Sequence, residues 1–259
     1  KKKSKECVHY SQVEQATIIH VKETSKAEKK FGKFDKVFGP VTSQEEIFRD
    51  TFELLEKVVN GLNLTIFAYG QTGSGKTFTM AGTPDAPGIT PRCIELLFDR
   101  VKEMDGVSIK TQFLEIYNDQ LIDLYWLHDN KKKAGSPPLD IGFDSKKKMV
   151  TVRLKSDRKL GATVKAVTAP GELMALFDQA NKRRHVAATK MNAESSRSHS
   201  IFSIIVERGD GKVGKLSLID LAGSERVGKT GATGDQLKEG IEINKSLSAL
   251  KSVILALTS

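Results

Sequence analysis

Cysteine is nearly absent from this 259-residue chain, which carries only Cys7 and Cys93. Two thiols cannot build a disulfide framework, so free thiols in a reducing, cytosolic setting are expected. No stretch approaches the roughly 18 apolar residues of a membrane span. The lysines at the start, Lys1, Lys2 and Lys3, have no apolar segment behind them, which argues against a signal peptide. No internal repeat or composition break divides the chain, so a single α/β domain over residues 1–259 is expected. Acidic residues are in deficit, 32 against 41 Lys and Arg, leaving a net charge of +9. The excess concentrates in residues 146–165, where Lys146, Lys147, Lys148, Arg153, Lys155, Arg158, Lys159 and Lys165 face only Asp157. That cluster is either a solvated face or a docking surface for an acidic partner, and composition does not separate nucleic acid from an acidic protein. A basic face interleaved with aromatics, the mark of single-strand nucleic-acid binding, is missing.

The chain is rich in glycine where phosphate chemistry needs it. Gly70-Gln71-Thr72-Gly73-Ser74-Gly75-Lys76-Thr77 is a complete G-x-x-x-x-G-K-[ST] loop, led in by the apolar run Leu64–Ala68. A strand that ends in such a turn wraps backbone N–H groups around a polyphosphate, and the helix that follows adds its positive end. Lys76 is the residue to neutralise the β/γ-phosphates, and the Thr77 hydroxyl the one to hold Mg²⁺. Phe78, just past the loop, is placed either to face a base or to pack in the core.

Around the loop, helical and alternating patterns follow one another. Ser43-Gln44-Glu45-Glu46 is a capping box, and the apolar spacing behind it predicts one helix running to Gly61. Thr90-Pro91 predicts the start of a second helix, with Thr90 as N-cap. Residues 107–117 and 149–154 read as strands, and 128–138 as a loop. Residues 171–184 form an amphipathic helix with Leu173, Leu176, Phe177 and Ala180 inward. Residues 200–207 and 215–220 are strands of a central sheet, and 236–257 a long final helix. The expected fold is α/β, a mostly parallel or mixed sheet flanked by helices.

Strand 216–220 ends in Asp220, which can reach a Mg²⁺ shell, and Asp220-Leu221-Ala222-Gly223 spells D-x-x-G, a pattern in which a bare glycine N–H meets a γ-phosphate. Alone, that pattern is also ordinary turn chemistry. Guanine-specific relatives carry N-K-x-D, whereas Asn244-Lys245-Ser246-Leu247 has leucine in place of the carboxylate, which points to ATP. Residues 192–200 gather serines, Arg197 and His199 just before a strand.

Four motifs in order, F-A-Y-G-Q-T-G-S-G-K-T-F-T-M (67–80), N-x-x-S-S-R-S-H (192–199), D-L-A-G-S-E-R (220–226) and I-N-K-S-L-S-A-L (243–250), resemble the motor domain of kinesins. The likeness runs from about Phe34 to Leu257 and includes E-I-Y-N-D (115–119). It implies a P-loop NTPase of kinesin type that binds ATP/ADP with Mg²⁺ and hydrolyses ATP on a microtubule. By that resemblance the nucleotide site is Gly70, Gln71, Thr72, Gly73, Ser74, Gly75, Lys76, Thr77 and Phe78, with Thr77, Ser196 and Asp220 around the metal. Ser195 positions the attacking water, Gly223 senses the γ-phosphate, and Arg197 pairs with Glu225 to close the site. Arg226, Lys229, Lys245 and Lys251 match the microtubule-binding side, and run 146–165 overlaps a second contact loop.

The chain lacks the R-x-R-P strand that opens kinesin motors and the H-x-P-Y-R segment that follows the region matched by Leu257. Lys182–Val186 and Gln236–Glu239 lean towards the minus-end-directed, C-terminal-motor group. The resemblance implies a cytoplasmic, cytoskeletal setting with the spindle included, no membrane or nucleic-acid partner, and dimerisation only through segments outside 1–259. Two other classes compete: another P-loop enzyme, for which no acceptor site with its own base is evident, and a non-enzymatic microtubule-binding module. Intact Lys76, Thr77, Asp220 and Glu225 speak against the second.

Overall fold

The computed structural model describes residues 8–11, 16–20, 28–31, 34–131, 135–145, 149–188, 196–225 and 234–258. The chain divides into two compact units, Lys1–Asp50 and Thr51–Ser259. In the first, β1 (Val8–Ser11), β2 (Ala16–His20) and β3 (Glu28–Phe31) form an antiparallel sheet in that order. Helix α1 (Gln44–Arg49) opens on the expected capping box, with Ser43 Oγ accepting from the Glu46 N–H at 3.2 Å and Glu46 Oε2 accepting from the Ser43 N–H at 2.8 Å.

The single helix expected from 44 to 59 is two. It stops at the C-cap Asp50, whose carboxylate is held by Lys36 at 2.7 Å. An i→i+3 bond from Leu54 N–H to Thr51 C=O then restarts it as α2 (Phe52–Val59). Asp and β-branched Thr are weak helix formers, which makes this pair the weak point of the predicted helix. Helix α2 ends in a Schellman motif: Gly61, at φ 92°, donates to Val58 and Leu62 donates to Lys57.

In the second unit the chain continues through β4 (Asn63–Ala68), α3 (Lys76–Met80), the short pair β5 (Gly82–Thr83) and β6 (Ala86–Pro87), and α4 (Ile89–Val101). Helix α4 begins before the expected Thr90 cap, with Gly88 as N-cap. A Cβ at Gly88 would meet the Thr79 and Met80 carbonyls at 2.6 and 2.7 Å, so the close approach of α3 selects glycine there. Pro91 still lies in the first turn, where its missing N–H costs no helical bond. Next come β7 (Ser108–Tyr117), β8 (Gln120–Asp123), α5 (Leu124–Asp129), β9 (Leu139–Asp144), β10 (Met149–Leu154), β11 (Lys165–Val167) and α6 (Pro170–Ala188). The unit closes with β12 (His199–Glu207), β13 (Val213–Asp220) and α7 (Gly234–Thr258). Helix α5 occupies the start of the stretch expected to be a loop.

The central sheet is mixed, in the order β11-β7-β12-β13-β4, with β8 also on β7; β13 and β4 are the parallel pair among the described strands. Helices α2, α4, α5 and α6 border its core. Phe113 stacks on Phe177 at 5.5 Å between ring centroids, and Phe202 meets both edge-on or tilted at 5.3 and 4.9 Å. Leu55, Ile94, Leu97, Leu173, Ile204 and Leu216 fill the rest. Register then does the functional work. Asp220 pairs with Ala68 on β4 and with Ser200 on β12, so the ends of three strands arrive together beside the glycine loop.

Candidate nucleotide site

Residues 69–75 leave β4 as an irregular turn in which Gly73 and Gly75 take φ of 78° and 92°, conformations that L side chains resist. The turn is closed by Ser74 N–H on Gln71 C=O at 3.1 Å and by Thr79 N–H on Gly75 C=O at 2.8 Å. Lys76 Nζ donates back to Gln71 C=O at 3.0 Å. Phe78 is 49 % exposed, so of its two expected roles core packing is ruled out.

Thr77 Oγ1 donates to Asp220 Oδ2 at 2.7 Å, joining the two residues expected at the metal. Asp220 is buried, and its other oxygen, Oδ1, has no hydrogen-bond partner among the described residues. A buried carboxylate oxygen left over beside a hydroxyl suits a hard, oxygen-seeking cation. No cluster of three or more His, Cys, Asp or Glu that could cage a metal exists among the described residues. The donor set therefore fits Mg²⁺, which is commonly held by one or two protein oxygens with phosphates and water completing its shell.

The segments around Ser196 and Gly223, expected to close over the γ-phosphate, touch through their backbones. Gly223 N–H donates to Ser196 C=O at 2.8 Å, and Ser224 N–H to Gly70 C=O at 3.1 Å. A Cβ on Gly223 would collide with the Glu225 carboxylate and the Thr72 hydroxyl. The ionic pairing differs from expectation. Glu225 does not meet Arg197; its carboxylate takes the Thr72 N–H at 2.9 Å and the Thr72 hydroxyl at 2.7 Å. Burial alone would raise the Glu225 carboxyl, but these two donors, with Lys76 nearby, hold it below its ordinary value. Arg197 instead binds Glu239 of α7 at 2.5 Å, and Tyr117 donates to the other Glu239 oxygen at 2.6 Å. The physical reason is proximity. Thr72 offers two donors in one place, and the β7–β8 turn, with Asn118 and Asp119 at φ 49° and 60°, presents Tyr117 beside the same glutamate.

Beneath the site lies a network that sequence reasoning missed. Arg184, 4 % exposed, lies 3.4 Å from Glu115 and 3.5 Å from Asp220, and donates to Ser198 Oγ and C=O at 3.2 and 3.0 Å. In the sequence Arg184 is only the last residue of the amphipathic helix 171–184 and a member of the run 182–186. The signal available was that Arg184 lies four residues beyond the inward-facing Ala180, on the same helical face. His199 was noted only as part of a motif; it binds Ala222 and Ser246. Ser195, Arg226 and Lys229 lie outside the described residues. Lys245 and Lys251 are exposed on α7, and Lys245 reaches Glu242 at 3.3 Å. Six residues apart, they point about 120° apart around the helix, so they flank a surface without forming one stripe.

A glycine loop between a strand and a helix, with a hydroxyl–carboxylate pair and two backbone-linked segments beside it, is the arrangement of a P-loop nucleotide-binding protein. The family model for the kinesin motor domain matches residues 1–259, and the chain belongs to that family. It is 48 % identical over 235 residues to kinesin-like protein KIN-14I of Oryza sativa subsp. japonica, covering 87 % of this chain and 18 % of the relative. It is 41 % identical over 240 residues to kinesin heavy chain of Strongylocentrotus purpuratus, covering 88 % and 22 %. Among solved structures, the C-terminal motor and motor homology domain of Kar3Vik1, fused to a synthetic heterodimeric coiled coil, matches with a TM-score of 0.75 and 32 % identity over 91 % of this chain and 59 % of that one. The chain thus spans about a fifth of the length of these curated relatives.

Proposed function

We propose that residues 1–259 act as one motor domain that hydrolyses ATP and couples turnover to binding a microtubule. The observation that carries the reading is the Thr77–Asp220 bond with its spare buried oxygen, set three and four residues before Gly223 and Ser224, whose N–H groups bond Ser196 and the glycine loop at Gly70. When bound, Mg²⁺ supplies positive charge to the β- and γ-phosphate oxygens. The protein's own part is binding, orientation and closure. Lys76 exchanges its Gln71 carbonyl for phosphate oxygens. Gly223 offers its N–H to the γ-phosphate once it leaves Ser196. Ser195 and Ser196 then belong to water positioning and to the metal shell. Arg197 reaches Glu225 only by giving up Glu239, while Glu225 gives up Thr72. Closure on ATP is therefore an exchange of two existing pairs for one new pair, and loss of the Arg197–Glu239 bond leaves α7 held beside the site by Tyr117 on Glu239 and His199 on Ser246.

ATP is favoured over GTP because Leu247 occupies the place of the guanine-reading carboxylate. The microtubule partner is supported by the net charge of +9 and by Lys245 and Lys251 on α7, with Arg226 and Lys229 beside it in sequence. Among the described residues no helix is long and apolar enough to cross a membrane. The setting that follows is the microtubule cytoskeleton of the cytoplasm. The similarity to KIN-14I and to the C-terminal motor of Kar3Vik1 supports placement in the C-terminal-motor, minus-end-directed group. ATP turnover measured with and without polymerised tubulin tests the whole reading. Stimulation is expected; basal turnover alone would select another P-loop enzyme, and binding without turnover a non-enzymatic module.

A further inference from the structure

His199 begins β12 and is buried between the residues that sense phosphate and the long helix α7. The Ala222 backbone N–H, one residue before Gly223, donates to His199 Nδ1 at 3.1 Å. That nitrogen must therefore carry the lone pair, which assigns the ring proton to Nε2. Nε2 lies 2.8 Å from Ser246 Oγ on α7, and Ser246 Oγ donates onward to Ile243 C=O at 2.7 Å. Every donor in this chain has an acceptor only when the ring is neutral. Burial, and then the Arg184 guanidinium, push the imidazole below its ordinary pKa against the smaller pull of Asp220, which keeps it in that form. The adjoining space, lined by Tyr117, Arg197, Glu239 and Ser246, measures about 20 Å³. That is room for one water, so the cluster is a mechanical joint and not a ligand pocket.

We infer that His199 is a positioning residue, a strut tying the backbone beside Gly223 to the middle of α7 through Ser246. Gly223 and α7 are otherwise joined among these residues through the Arg197–Glu239 pair, which the proposed closure breaks. The strut does not need to break in that step. It gives the γ-phosphate-sensing backbone a rigid connection to the helix that bears Lys245, the neighbour of Ser246. The inference rests on the proposed function for its consequence and on geometry for its existence.

Two variants separate a strut from a merely well-packed histidine. Ser246→Ala removes the far end without touching the core ring. His199→Asn keeps an acceptor where Nδ1 stands and loses the reach to Ser246. Both should bind fluorescent ADP normally, while microtubule stimulation of turnover falls about three- to tenfold, the scale of one hydrogen bond of ordinary net worth. In the double variant Ser246→Ala should add nothing to His199→Asn. In the absence of microtubules, amide exchange at Ala222 should quicken in Ser246→Ala. Additive losses, or normal stimulation with unchanged Ala222 protection, would overturn the strut. If the unaltered protein shows no stimulation, the proposed function fails instead, and the exchange of Ala222 alone decides whether Ser246 holds the ring.

Discussion

At Asp220 three facts meet on one carboxylate: Thr77 donates to Oδ2, Arg184 stands 3.5 Å from the same atom, and Oδ1 has no hydrogen-bond partner among the described residues. Arg184 neutralises both Glu115 and Asp220 in a buried place, so Arg184→Ala should cost about 3–5 kcal/mol, the price of stranding a buried charge. Urea unfolding reads this directly, and an unchanged midpoint would show that water or another cation already serves the two acids. Lys76 is different, because its partner in the absence of phosphate is a single carbonyl. Lys76→Ala should leave the unfolding midpoint within about 0.5 kcal/mol and weaken ATP binding roughly 10- to 100-fold, the worth of a charge-assisted hydrogen bond. Unchanged affinity for a fluorescent nucleotide would remove Lys76 from the site. His199 sets a pH dependence. Its folded pKa is lowered from 6.5, so the unfolded chain takes up its proton first as pH falls. Stability from this residue is complete above about pH 6.5 and declines below it until the folded ring also titrates. The loss of stability between pH 7.5 and 5.5 should be smaller in His199→Asn than in the unaltered protein, and an equal loss would assign the effect to other histidines.

At the scale of elements, close backbone approaches hold the sheet and helices in register. A Cβ at Gly214 on β13 would fall on the Val58 carbonyl of α2, so Gly214→Ala must push helix from strand. Overpacking of that kind costs about 1–3 kcal/mol, and the expected drop in thermal midpoint should exceed that of Gly211→Ala, where the added carbon meets open space though the φ of 85° is strained. Equal drops would mean that strain, not packing, dominates both. Local signals in the sequence located these elements well. The capping box of α1, the run into β4, the glycine loop, and β7, β12, β13 and α7 all follow from patterns a few residues long. What failed was whatever depended on a distant neighbour. The glycine start of α4 is of that kind, since it is imposed by the carbonyls of α3, whereas the break at Asp50 and Thr51 lies in two locally weak helix formers that the apolar spacing overrode. The site divides the same way. Thr77 and Asp220 were legible because each ends or begins an element beside a motif. The partners of Arg197 and Glu225 were not, because Glu239 and Thr72 lie 42 and 153 residues away along the chain. The resemblance named an Arg197–Glu225 pairing; under the proposed closure, the observed Arg197–Glu239 and Glu225–Thr72 pairs are the ones to be released for it to form.

Over the whole molecule, charge and connectivity decide how the nucleotide site could sense a partner. A chain of net charge +9 is drawn to any polyanion, so attraction to an acidic filament is not by itself evidence of a shaped interface. Shape enters through α7, whose Glu239 and Ser246 are bonded to Arg197 and His199 while Lys245 and Lys251 lie exposed on the same helix. A filament bound along α7 would act on Arg197 and His199 through Glu239 and Ser246, whereas β11, at the described end of the basic run, joins the central sheet at the edge opposite β4. Alanine at Arg226, Lys229, Lys245 and Lys251 together should therefore reduce co-sedimentation with microtubules and lower their stimulation of turnover more than in proportion to binding. Removal of Lys1, Lys2 and Lys3 takes away nearly as much charge and should do little beyond a loss that vanishes by about 0.15 M salt, where surface charges are screened over roughly 8 Å. Equal losses from the two variants, with the same dependence on salt, would mean that binding is general electrostatics and that α7 is not the surface through which a microtubule acts on the nucleotide site.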